Sequence, residues 1–101
     1  MDTTNCTKTV YAEQFSVASQ DTILPPRFLR FHQQNFCRYF GLPPEGFFGK
    51  IALESGAGPG KHAAVLCLMG AKVTTVDLLP ENVEATRRVA NAHKLTELHA
   101  Y

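Results

Sequence analysis

The chain has 101 residues, a formal net charge of +1 and 45% hydrophobic residues, which bounds it to a single domain of modest size. Ten Lys and Arg against nine Asp and Glu give no electrostatic case for nucleic acid or an anionic membrane as a partner. No apolar run approaches the roughly 20 residues that span a bilayer.

Met1-Asp2-Thr3-Thr4-Asn5 lacks the basic-then-apolar order of a secretory signal. Cys6, Cys37 and Cys67 are odd in number and widely spaced, with no C-x-x-C among them. A reduced, cytoplasmic setting is therefore expected. His32, His62, His93 and His99 fall on separate elements without ligand spacing, so no metal site is expected.

Residues 1–22 are polar and weakly patterned, with Val10, Tyr11, Phe15 and Val17 as scattered anchors. Pro25-Pro26 ends this stretch and suits the first turn of a helix. From Arg27 to Phe40, the positions of Phe28, Leu29, Phe31, Phe36 and Tyr39-Phe40 roughly follow helical spacing, and Gly41 is placed to cap the end. These aromatics are expected to pack against a sheet; the alternative use is a cage for a cationic substrate. Residues 1–45 read as an N-terminal helical or cap segment, and 46–101 as the start of a second unit.

Pro43-Pro44-Glu45-Gly46 makes a turn into Phe47-Phe48, with Gly49-Lys50 at a strand entrance. Ile51-Ala52-Leu53 reads as a buried strand closed by Glu54-Ser55, and Gly56, Gly58 and Gly60 form a turn before a helix over His62–Met69. Ser55 is expected to need a partner for its hydroxyl at that buried strand end. Such a turn brings bare backbone N–H groups close to a ligand. After Gly70, Lys72–Val76 reads as a second strand ended by Asp77, whose carboxylate can take two ribose hydroxyls. Pro80 marks the next helix start, with Glu81 and Glu84 in its first turns and Arg87 and Arg88 placed to pair with Glu84. Val83, Val89 and Ala90 give it an apolar stripe, and His93 and Lys94 suit the negative end of its dipole. Leu95–Tyr101 looks like a chain entering a third strand.

The dinucleotide fingerprint G-x-G-x-x-G needs a small last residue, and counting from Gly56 that position is Lys61. The pattern is instead acidic-x-Gly-x-Gly-x-Gly, led by Glu54 and followed about twenty residues later by Asp77. This resembles the first two motifs of the class I S-adenosylmethionine-dependent methyltransferases, over roughly residues 46 to 95. Most of that family carries an apolar residue where this chain has Ser55.

The resemblance implies a Rossmann-like doubly wound parallel α/β sheet, present as its first two to three strands. It implies S-adenosyl-L-methionine as cofactor, held by Glu54, Gly56, Ala57, Gly58, Gly60, Asp77 and Leu78. Glu54 would face the methionine amino group, Asp77 the ribose hydroxyls and Leu78 the adenine face. A carboxylate suits a cationic cofactor and would repel a pyrophosphate.

Two or three strands leave open sheet edges, so a longer parent enzyme and self-association through those edges are both expected. The family's acceptor-facing residues come from later strands, so no catalytic residue is assigned; Tyr11, Tyr39 and His32 read as structural. A small-molecule acceptor is preferred. The alternatives are a degenerate cofactor-binding module without catalysis and an NAD-dependent oxidoreductase fragment, the latter disfavoured by Lys61 and Glu54.

Overall fold

A computed structural model describes residues 23–56 and 58–101. In chain order these form helix α1 (Pro26–Phe40), a 3-10 turn (Pro44–Phe47), β1 (Ile51–Ser55), α2 (Lys61–Leu68), β2 (Lys72–Val76), α3 (Pro80–Ala92) and β3 (Leu98–Ala100). The three strands are parallel in the order β1-β2-β3, with Glu54 beside Thr75, Ser55 beside Val76 and Thr75 beside Ala100. Two β-α-β crossovers in the same direction place α2 and α3 on one face of the sheet.

Burial follows from that one-sided cover. Side chains alternate across a strand, so Val73, Thr75, Leu98 and Ala100 point to the helices and are buried. On the opposite face Ile51 and Leu53 are 87% and 74% exposed, and Val76 is 45% exposed. The sequence reading of β1 as a buried strand is corrected here. β1 lies at the sheet edge, and among the described residues no element covers its outer face. Ser55 is likewise exposed, so its hydroxyl needs no protein partner.

α2 is apolar almost all round, and Ala63, Ala64, Val65, Leu66 and Cys67 are buried between the sheet, α1 and α3. Burial raises the Cys67 thiol above its ordinary range, and the nearby Glu97 carboxylate pushes the same way. α3 starts with Pro80, whose missing N–H costs nothing there, and Glu81 meets the positive end of the helix dipole. Its buried positions Asn82, Ala85, Thr86, Val89 and Ala90 repeat at helical spacing, and two of the five are polar.

α1 ends as expected at Gly41, in the left-handed region with φ +65°, and sets Phe28, Leu29, Phe36 and Cys37 against the core. Leu24, just before α1, is buried, and its N–H donates to His93 Nε2 at 3.0 Å across 69 residues of sequence. Arg88 pairs with Glu84 at 3.7 Å, whereas Arg87 donates to the Ala100 carbonyl at 2.8 Å instead of sharing Glu84. None of the described helices is long and apolar enough to cross a membrane.

Candidate functional site

Parallel pairing brings the C-terminal ends of β1 and β2 side by side, and the two acidic residues singled out in the sequence sit there. Glu54 is half-buried and faces the helix side of the sheet with Ala52. Burial holds its carboxyl above the ordinary carboxylate range. Among the described residues the one ion pair is Glu84 with Arg88, so Glu54 has no cation of its own there. A partly desolvated carboxyl without a countercharge is suited to receive a cationic ligand.

Asp77 is the organising group. Its Oδ1 accepts the Leu79 N–H at 2.8 Å and the Asn82 Nδ2–H at 3.2 Å, and its Oδ2 accepts the Gly58 N–H at 2.9 Å. One side chain thus ties the glycine turn to the loop that starts α3. A carboxylate offers about four acceptor positions, so one remains open on Oδ2 for a ligand hydroxyl. The sequence reading of two ribose hydroxyls on Asp77 meets a carboxylate with three donors already in place.

The glycines divide by role. Gly56 has φ +69°, its N–H donates to the Val76 carbonyl at 2.8 Å, and a Cβ on it would meet nothing within 4 Å. Among the described residues, nothing fills the space beside Gly56. Gly58 has φ +62° and gives its N–H to Asp77. Gly60 has φ +81° and faces Thr86 of α3, so it serves close packing of α2 on α3. Ala57 lies outside the described residues. Leu78, beside Asp77, is 87% exposed and offers an apolar surface at the site's edge.

Asn82 and Thr86 were missed in the sequence reading. Both are buried, and Thr86 Oγ1 donates to the Asn82 carbonyl at 2.9 Å while lying 3.5 Å from the Gly58 carbonyl. Their signal was available: they share the buried stripe of α3 with Val89. His32 and His62 also come together, with ring centroids 4.5 Å apart, although no sequence spacing links them. No group of three or more His, Cys, Asp or Glu that could hold a metal occurs among the described residues.

No family model matches the chain, and no curated protein matches it in sequence. Solved structures do match in shape. A variant of MtNAS, solved in complex with S-adenosylmethionine, superposes with a TM-score of 0.64 at 16% identity, covering 92% of this chain and 42% of that one. A methyltransferase from Geobacter sulfurreducens gives 0.55 at 14% identity, covering 89% and 45%. The fold is that of the class I methyltransferases. A putative RNA methyltransferase from Pyrococcus horikoshii gives 0.55 at 22% identity, covering 77% of this chain and 37% of that one. The chain spans less than half the length of each of these three structures. In this methyltransferase fold the open ends of β1 and β2 are where Glu54, Gly56 and Asp77 gather.

The pH dependence of Glu54 tests its environment without any ligand. A carboxyl raised by folding binds its proton more tightly in the folded chain than in the unfolded one. Stability is then lost as pH rises from the unfolded pKa through the folded one. Glu54→Gln should remove that loss, so its urea midpoint should exceed the parent's at pH 7 and match it at pH 4. Equal midpoints at both values would place Glu54 in water.

Proposed function

We propose that the chain binds S-adenosyl-L-methionine at the C-terminal ends of β1 and β2 and belongs to an enzyme that transfers its methyl group. Glu54 carries the reading: it is a half-buried carboxyl, and among the described residues it has no countercharge and nothing fills the neighbouring space beside Gly56. The residues fit the cofactor by charge, since the cofactor's ammonium and sulfonium groups are cationic. Asp77 has one open acceptor position for a ribose hydroxyl, and Leu78 offers its apolar surface to the adenine ring. When bound, the cofactor supplies an electrophilic methyl group on sulfur. This chain's residues supply orientation, and for an in-line displacement orientation is a large part of catalysis.

The same carboxyl disfavours a dinucleotide, whose pyrophosphate it would repel, and Lys61 stands where that fingerprint needs a small residue. Isothermal titration of the 101-residue chain with S-adenosylhomocysteine, then with NAD in competition, tests the reading. Binding of S-adenosylhomocysteine that NAD leaves unchanged is the expected result, with a weakening of at least tenfold in Glu54→Gln. Displacement by NAD would move the chain to the oxidoreductases.

A further inference from the structure

Three donors meet the Asp77 carboxylate, and they are shared unevenly between its two oxygens. Oδ1 accepts the Leu79 N–H at 2.8 Å, two residues on, in an Asx turn that leads into α3. The same oxygen accepts the Asn82 side-chain amide at 3.2 Å. Among the described residues Oδ2 accepts only the Gly58 N–H, at 2.9 Å. A carboxylate with donors on both oxygens cannot turn about its Cβ–Cγ bond without breaking one of these bonds.

Asn82 is itself held from behind. It is the third residue of α3 and is buried, and its backbone N–H donates to the Leu79 carbonyl at 3.0 Å. The carboxylate decides which end of the amide faces Asp77, because the amide oxygen would be repelled there. The Asn82 carbonyl accepts the hydroxyl of buried Thr86 at 2.9 Å, one turn further along α3. That hydroxyl also lies 3.5 Å from the Gly58 carbonyl, and Gly58 leads back to Asp77 through its N–H. Asp77, Asn82, Thr86 and Gly58 thus form a ring that fixes the carboxylate before any ligand arrives.

The ring limits what Asp77 can offer. Each carboxylate oxygen has two acceptor positions, and on Oδ1 the Leu79 N–H and the Asn82 amide fill both. A pair of neighbouring ribose hydroxyls would be taken by the two oxygens together, one hydroxyl on each. Here Oδ2 alone has room.

We propose that Asn82 is the positioning residue of this site: with the Leu79 N–H it fills Oδ1, so that Asp77 accepts a single ribose hydroxyl on Oδ2. The proposal rests on the cofactor-binding reading above. Its consequence is a selectivity: the site reads one of the two ribose hydroxyls and ignores the other.

The test compares S-adenosylhomocysteine with its 2′-deoxy and 3′-deoxy forms by isothermal titration of the 101-residue chain. One deoxy form should lose about tenfold or more in affinity, the scale of a hydrogen bond to a charged acceptor. The other should stay within about twofold of S-adenosylhomocysteine. Losses of about tenfold in both forms overturn the proposal alone, because Asp77 would then hold both hydroxyls. Full affinity of both forms also overturns it, by taking the ribose off Asp77. A chain that ignores S-adenosylhomocysteine overturns the cofactor-binding reading, and the proposal with it.

Asn82→Leu nearly keeps the side-chain volume and removes the donor, which frees an acceptor position on Oδ1. The gap between the two deoxy forms should then shrink to under about threefold. A residue that served only the fold would weaken all three ligands alike and leave the gap as it was. An unchanged gap in folded Asn82→Leu therefore overturns the positioning role. If Asn82→Leu does not fold, the response of the unaltered chain to the two deoxy forms decides.

Discussion

Gly60→Ala should destabilise the chain by roughly 2–4 kcal/mol and lower its urea midpoint well below the parent's. A Cβ at this position would stand 2.7 Å from Thr86 Cβ and 2.6 Å from Thr86 Cγ2, with φ at +81°. Two costs add. A non-glycine residue held in the left-handed region costs on the order of 1 kcal/mol. Forcing a methyl group against a packed helix costs roughly 1–3 kcal/mol more. Thr86 is buried and bonded to the Asn82 carbonyl, so it has little freedom to turn aside. A chain of this length has a total stability of only about 5–15 kcal/mol.

Urea denaturation followed by circular dichroism reads the loss. Adding Thr86→Ala should recover only part of it, because the contacts to Oγ1 and Cγ2 go while the contact to the Cβ at 2.7 Å, the backbone strain and the lost hydroxyl bond stay. A Gly60→Ala midpoint equal to the parent's would show that α2 and α3 are further apart than described.

Asp77→Ala should harm both the fold and cofactor affinity, and the two losses can be measured apart. The truncation frees the N–H groups of Gly58 and Leu79 and the side-chain amide of buried Asn82. Leaving a buried donor unpaired costs about 1–3 kcal/mol, and hydrogen bonds to a charged acceptor lie in the same range. Asp77→Asn is the informative companion. Its remaining oxygen keeps the Leu79 and Asn82 bonds, while its amide meets the Gly58 N–H donor to donor. Stability should therefore fall less than for alanine, yet binding of S-adenosylhomocysteine should drop at least tenfold in both. Unchanged affinity in Asp77→Asn would remove the ribose from this carboxylate.

The βαβ frame was readable because punctuation marks it: Gly56, Gly58 and Gly60 set the turn, Gly70 the helix end and Pro80 the next start. Each acts through local backbone chemistry that survives whatever packs around it. What escaped the sequence depends on which elements meet. Ile51 and Leu53 look like core residues until β1 is known to be an edge strand. Arg87 and Arg88 are equivalent by spacing from Glu84, but the Ala100 carbonyl at the end of β3 draws Arg87 away. Asn82 and Thr86 were passed over, because periodicity counts apolar residues and these two are buried and polar. The meeting of His32 with His62 arises from α1 lying across α2, a contact between elements some thirty residues apart.

The bond from Leu24 to His93 has a consequence for how the chain opens. It joins the lead-in of the first helix to the end of the last one across 69 residues. The cost of closing so long a loop grows only slowly with length, so one bond and the burial of Leu24 suffice to hold it. Fraying of the two ends is then a shared event, because release of α1 also frees the end of α3. The Leu24 amide, distant from every candidate site residue in sequence, becomes a natural reporter: its hydrogen-exchange rate measures how often the whole wrap comes undone.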